Sequence, residues 1–247
     1  MSQVALVTGA AQGLGKAIAQ SLFNAGFAVA LTDADEQSVI AAANEIDSSG
    51  ERVLALQLNV LEKENFNTAL QQTIERFGRV DALVNNAALT LTTPVMEISP
   101  EEFDKVIAVN QRGTFFGCQV FGQYFADQGY GRIVNLASLA GQNGGAAAGA
   151  HYGSTKGAIL AMTKIFARNL AASGVTVNAV APGPMDLPSV RDLVPADKLE
   201  QIINDMIPVQ ELGDAGFVAD MVAKLASRES SFVTGATWDI NGGIYMR

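Results

Sequence analysis

The alternation of short apolar, β-type runs with helical patterns constrains this chain more than any other feature, because it persists from end to end. Residues 4–7, 28–32, 53–58, 80–84, 132–136, 176–180 and 237–240 read as strands. Between them, 15–24, 36–47, 63–77 and 152–172 read as helices, with Gly26 and Gly78 placed to close the first and the third. Ser99-Pro100-Glu101-Glu102 is a capping box with proline at the first helical position, and it opens a long helix toward Asp127. Short apolar runs between helices are what a parallel sheet buried on both faces requires. The expectation is one α/β domain over residues 1–247, a doubly wound parallel sheet with helices on both faces. The one long irregular stretch, 182–213, holds Pro184, Pro188, Pro195 and Pro208. A loop of that length in a compact domain is more often functional than filler.

Composition narrows the partners. A hydrophobic content of 49% and a mean hydropathy of +0.20 supply ample core. The net charge of −9 argues against nucleic acid or an anionic membrane surface as partner. Cys118 is the only cysteine and His151 the only histidine, so an internal disulfide is impossible and a zinc site is not expected. The chain passes from Met1-Ser2-Gln3 directly into an apolar strand, and no apolar run reaches the length of a membrane span. A cytoplasmic protein is expected.

In open α/β sheets ligands bind beyond the carboxyl ends of the strands. The residues there are Thr8-Gly9, Asp33, Asn59, Asn85-Asn86, Ser138 and Pro182-Gly183. Turn composition accounts for part of this pattern. Thr8-Gly9-Ala10-Ala11-Gln12-Gly13-Leu14-Gly15 joins the first strand to the first helix. Its glycines let the backbone approach a pyrophosphate, and the helix N-terminus offers N–H groups and positive dipole to it. A Walker A reading fails, since Lys16 is followed by Ala17 and position 10 is alanine. Asp33, eighteen residues after Gly15, is placed to accept from a ribose 2′-hydroxyl and to repel a 2′-phosphate. Neither Gln12 nor Ala34 is basic, so NAD is favoured over NADP.

Tyr152 and Lys156 stand four apart at the start of a helix and therefore share a face. An ammonium roughly 5–6 Å from the phenol, at an effective dielectric near 20, favours the phenolate by about 3 kcal/mol, or about two pKa units. Tyr152 would then work as a general acid or base near neutrality. His151 points about 100° away from Tyr152 on the helix, so packing or a rim contact is expected of it.

Taken together, Thr8–Gly15, Asn85-Asn86-Ala87, Asn110, Ser138, Tyr152, Lys156, Pro182-Gly183 and Asn241-Gly242-Gly243 resemble the motif set of the short-chain dehydrogenase/reductase family, in its single-domain branch. The resemblance covers the whole chain and implies a Rossmann-type fold. It makes Tyr152 the catalytic acid/base and gives Lys156 the tasks of lowering its pKa and binding the nicotinamide ribose. Ser138 would orient the substrate oxygen, and Asn110 would help hold a proton-relay water. The cofactor-binding set it implies is Thr8, Gly9, Gln12, Gly13, Leu14, Gly15, Asp33, Asn59, Val60, Asn86, Ala87, Tyr152, Lys156, Pro182, Gly183 and Met185. Family members are commonly tetramers packed through two long helices, here about 101–127 and 152–172. This chain departs from the family pattern at Ala88, usually glycine, at Asn59, usually aspartate, and at Pro184-Met185-Asp186, where a threonine is common.

The expected reaction is hydride transfer between NAD and a small secondary alcohol or ketone. Leu139, Ala146, Ala147, Ala148, Met185, Leu187 and Met206 suggest an apolar substrate pocket under the 184–211 segment. The alternative is 3-oxoacyl-acyl-carrier-protein reduction, but such enzymes generally prefer NADPH and present basic residues to an acidic carrier. The corresponding stretches here, 125–131 and 171–174, contain no Lys or Arg. A sugar-nucleotide epimerase would usually space its glycines differently and carry a further domain. A non-catalytic NAD sensor would not need all four catalytic side chains.

Overall fold

The computed structural model describes residues 2–145, 149–187, 190–191 and 196–247. Seven strands form one parallel sheet: β1 (Val4–Thr8), β2 (Ala28–Asp33), β3 (Val53–Gln57), β4 (Ala82–Asn85), β5 (Gly131–Leu136), β6 (Val175–Pro182) and β7 (Thr237–Ile240), in the order β3-β2-β1-β4-β5-β6-β7. Parallel strands need crossovers, and helices supply them on both faces. These are α1 (Gly13–Asn24), α2 (Glu36–Ile46), α3 (Lys63–Phe77), α4 (Pro100–Val106), α5 (Gly113–Gln128), the short α6 (Ala140–Asn143), α7 (Ala150–Leu170) and the helices Ala196–Met206 and Ala215–Ala226. The fold is of the Rossmann type anticipated above.

The first strand pairs with β2 on one side and β4 on the other. The chain reverses its winding between them, and the crevice at their carboxyl ends is the topological switch point where such sheets bind ligands. Both strands are buried along their whole length. One face of the sheet packs Ile18 and Leu22 of α1 against Val222 and Leu225. The other packs Phe66, Phe121 and Phe125, all fully buried, against Leu83 and Ile133. Each such ring contributes about 1.5–3 kcal/mol of burial.

Three elements differ from expectation. The 182–213 stretch is not irregular throughout, for it contains the helix Ala196–Met206. Leu199, Ile202, Ile203 and Met206 have the spacing of one helical face, and the prolines around them mask it. The helix Ala215–Ala226 is an addition; Asp214 caps it by accepting from Gly216 N and Phe217 N. The long helix after Ser99 changes form midway, since Ile107–Arg112 is π-helical between α4 and α5. Such single-turn insertions re-aim the side chains they carry and cluster at functional sites. The Ser99 cap itself forms, accepting from Glu102 N at 3.1 Å. No helix among the described residues is long and apolar enough to cross a membrane.

Candidate active site

The loop between β1 and α1 is held by side-chain-to-backbone hydrogen bonds with the residues just beyond the end of β4. Asn86 Nδ2 donates to Thr8 O at 3.0 Å and to Gly9 O at 2.9 Å. Thr8 Oγ1 in return accepts from Asn86 N at 3.0 Å and Ala87 N at 3.1 Å. A Cβ at Gly9, where φ is +64°, would lie 2.7 Å from Ala87 Cα, and one at Gly15 would overlap the Gly9 carbonyl oxygen. Those two glycines permit close packing. Gly13 differs: at φ +56° a Cβ there would meet nothing within 4 Å, so the backbone at the start of α1 faces open space. Gln12, at the N-cap, makes no side-chain cap, which leaves the first-turn N–H groups without a capping side chain. A helix start of this kind could hold an anion, such as a pyrophosphate. Leu14, the second residue of α1, reaches the neighbouring cavity.

Asp33 sits at the end of β2 on the rim beside that helix start. Its carboxylate accepts from Ala11 N and Asp35 N, each at 3.2 Å, and so is fixed in place. At the end of the edge strand β3, Asn59 Oδ1 accepts from Leu61 N at 3.1 Å, so this oxygen is already engaged in a local turn. Val60 packs against Gly113 at the start of α5.

Beyond β5 and β6, Ser138, Tyr152, Lys156, Pro182, Gly183 and Met185 line one cavity of about 150 Å³ with Leu14, Asn86, Ala88, Leu136 and Ala137. Ser138 Oγ accepts from Ala140 N at 3.1 Å as α6 begins. Lys156 Nζ donates to Leu136 O at 2.6 Å and lies 5.5 Å from the centre of the Tyr152 ring. Burial pushes its ammonium down to about 8.

One electrostatic expectation is overturned. Tyr152 is not brought toward neutrality: burial raises the phenol above its ordinary value, while hydrogen bonds from Ser138 and Thr90 pull the other way. The amine is turned to the Leu136 carbonyl, and desolvation of the phenol outweighs what its neighbours return. Thr90, two residues beyond Ala88, is a partner that sequence reasoning missed, because only the fold of the loop after β4 brings it to the phenol.

Asn110 occupies the π-helical turn and is fully buried. Its side chain makes three hydrogen bonds, accepting from Leu89 N at 2.7 Å and donating to Leu89 O at 3.0 Å and Thr155 Oγ1 at 3.2 Å. It braces the loop after β4 against α7.

The apolar pocket differs from the expected set. Met185 lines the cavity, but Leu139, Leu187 and Met206 do not. Leu139 is buried beneath, with its N–H donating to Pro182 O at 2.9 Å, and Met206 ends its helix exposed. Ala146, Ala147 and Ala148, like Pro188 and Pro195, lie outside the described residues.

Residues 9–245 match a family model described as enoyl-(acyl carrier protein) reductase. The chain is 37% identical over 249 residues to the 3-oxoacyl-acyl-carrier-protein reductase FabG of Staphylococcus epidermidis, covering all of both proteins. It is 37% identical to 2-(R)-hydroxypropyl-CoM dehydrogenase of Xanthobacter autotrophicus, over 98% of each chain. A third relative, the (2S)-[(R)-hydroxy(phenyl)methyl]succinyl-CoA dehydrogenase subunit BbsD of Thauera aromatica, is 36% identical over 98% of this chain and 96% of its own. An uncapped helix start facing open space, a fixed rim carboxylate and a cavity holding Ser, Tyr and Lys fit the nicotinamide cofactor that such relatives use. With that geometry and full-length similarity together, the chain belongs to the short-chain dehydrogenase/reductase family, oxidoreductases acting on CH–OH and C=O groups.

Proposed function

We propose that this enzyme interconverts a small secondary alcohol and its ketone with NAD(H). The observation that carries the cofactor choice is the Asp33 carboxylate, held at the rim by two backbone N–H groups where a 2′-phosphate would need a cation. Thr8, Gly9, Gln12, Gly13, Leu14 and Gly15 would hold the pyrophosphate side, and Asp33 the adenosine ribose. Asn59 and Val60 would border the adenine. Asn86, Ala87, Tyr152, Lys156, Pro182, Gly183 and Met185 would border the nicotinamide half. When bound, the cofactor supplies or takes up the hydride.

The chain's own groups manage the proton and the oxygen. In reduction, Tyr152 donates its phenolic proton to the ketone oxygen while Ser138 donates a hydrogen bond to the same atom, where negative charge develops. In oxidation the phenolate form of Tyr152 would accept the hydroxyl proton, so that direction is expected to gain as pH rises. Burial moves the phenol further above its ordinary value, so it holds the proton that reduction needs. Lys156 contributes a cation at the cavity wall, and Asn110 braces the loop that carries Thr90. The domain is read as one unit over 1–247, with 184–211 covering the substrate. Phe103, Phe115 and Ile165 are exposed on α4, α5 and α7 and support a homotetramer packed through those helices.

Full-length similarity to FabG favours a second reading, reduction of a carrier-linked 3-oxoacyl group. The surface beside the 125–131 stretch offers it Arg228, which is exposed and lies over the Tyr130 ring. Arg132, next to the 125–131 stretch, is buried and directs its guanidinium to the carbonyls of Gly131, Gly174 and Ser227. A screen of free ketones and alcohols beside a carrier-linked 3-oxoacyl substrate, each with NAD(H) and NADP(H), separates the readings. Turnover of a free ketone with NADH is expected; activity confined to the carrier-linked substrate with NADPH would sink the first reading.

A further inference from the structure

The chain's one histidine stands directly before Tyr152 and has no part in the chemistry proposed above. Its side chain is fully buried in the first turn of α7. Both ring nitrogens are engaged, Nδ1 at 2.8 Å from Tyr152 N and Nε2 at 2.8 Å from Glu102 Oε1 on α4. A backbone N–H can only donate, so Nδ1 is the bare, accepting nitrogen, and the ring proton sits on Nε2 and is donated to the carboxylate. The arrangement selects one tautomer of a neutral imidazole, since an imidazolium would set N–H against N–H at Tyr152.

Local chemistry explains the ring's presence. The N-cap of α7 is Gly149, which has no side chain to receive first-turn N–H groups. His151 supplies the missing acceptor from inside the turn. Gly149 leaves it room, for a Cβ there would overlap the His151 ring, and the Gly149 N–H donates to Leu91 O at 3.1 Å. Glu102 is itself anchored: hydrogen bonds from Thr93 and then His151 hold its carboxyl below the usual range, and its N–H donates to Ser99 Oγ. The Tyr152 carbonyl is taken by Thr155 Oγ1 at 2.8 Å, which accepts in turn from Asn110 Nδ2. The backbone of Tyr152 is thus gripped at both polar groups.

We infer that Glu102 and His151 form a positioning dyad, tying the first turn of α7 to α4 and to the loop after β4 so that the phenol of Tyr152 meets Ser138. The inference rests on the reading of Tyr152 as the acid/base. A small displacement of a reacting group is enough to cost a large factor in rate.

The test uses Glu102→Leu and Glu102→Gln in the full chain. Glu102 is 27% exposed, so its replacement leaves the core intact. ¹⁵N NMR of the single imidazole reports its tautomer without any substrate. NADH affinity, kcat and KM are measured with a ketone that the wild type reduces, and Tyr152→Phe is the control. Wild type and Glu102→Gln should show the proton on Nε2 and turnover within about twofold of each other, since the glutamine carbonyl still accepts. Glu102→Leu should mix the tautomers and lower kcat about tenfold with NADH affinity unchanged. A wild-type ring protonated at Nδ1, or unchanged kcat in Glu102→Leu, overturns the dyad. Undiminished turnover in Tyr152→Phe overturns the acid/base reading instead, and the imidazole spectrum then still reports whether the clamp exists.

Discussion

The two sides of the active-site crevice are built in opposite ways. On one side, Thr8, Asn86 and the Gly9–Gly15 turn lock one another through reciprocal side-chain-to-backbone hydrogen bonds and contacts too close for any side chain. On the other, the segment after Pro182 is tied at its base by a few backbone bonds, Gly213 N to Pro184 O and Asp186 N to Gly213 O, both at 2.9 Å. Among the described residues, it also carries the exposed pair between Arg191 and Asp186. The contrast separates a turn closed by interlocking contacts from a segment whose described ties are local. Stability is distributed accordingly, with well-packed elements opening last.

Perturbations should rank themselves along that contrast. The largest effect is expected where the two sides meet: Tyr152→Phe should lower kcat by about 10²–10⁴-fold while NADH affinity, read by fluorescence titration, stays as it was. Undiminished turnover would remove the phenol from the mechanism.

Next is the rigid side. Gly15→Ala places a methyl against the Gly9 carbonyl and should destabilise the fold by about 1–3 kcal/mol and weaken cofactor binding. Gly13→Ala meets no atom and should cost about 1 kcal/mol, the strain of its positive φ alone. Urea melts of the pair give the comparison, and equal costs would show that the loop is looser than its contacts imply.

Lys156 provides a sharper probe. Its folded pKa of about 8 lies below the ordinary lysine value of 10.5, so the unfolded chain binds more protons between those limits. The burden of holding this ammonium is therefore fully present below about pH 8 and relieved as pH rises toward 10.5. Wild type should gain about 2 kcal/mol on Lys156→Met between pH 7.5 and 10, measured by denaturant melts at each pH. A constant difference would mean that the amine is solvated.

The smallest effect is expected in the segment after Pro182. Arg191→Ala breaks an exposed, solvent-screened pair and should leave the urea midpoint close to that of the wild type. A clearly lowered midpoint would place the segment among the rigid parts of the crevice.

Much of this was legible in the residues themselves. The α3 limits follow from its periodicity and from Gly78, which closes it at φ +84°. The Ser99 cap follows from S-x-x-E spacing. The helix Ala196–Met206 was hidden because prolines on either side read as loop while its apolar face repeats every three to four residues. The π-helical turn at Ile107–Arg112 left no mark that periodicity could detect, although it carries Asn110.

What the sequence determined alone are features set within a few residues or by one chemical type: the glycine turn, the strand-end aspartate, and the i, i+4 spacing of tyrosine and lysine. Tertiary structure decided everything that depends on who is buried beside whom. It turned the Lys156 amine toward Leu136 O, raised the Tyr152 phenol instead of lowering it, and drew Thr90 to that phenol. It also buried Arg132 among carbonyls and bound His151 to Glu102 across 49 residues of chain. The reason is physical: hydrogen-bond geometry within a turn is local, whereas desolvation is a sum over every neighbour the fold assembles.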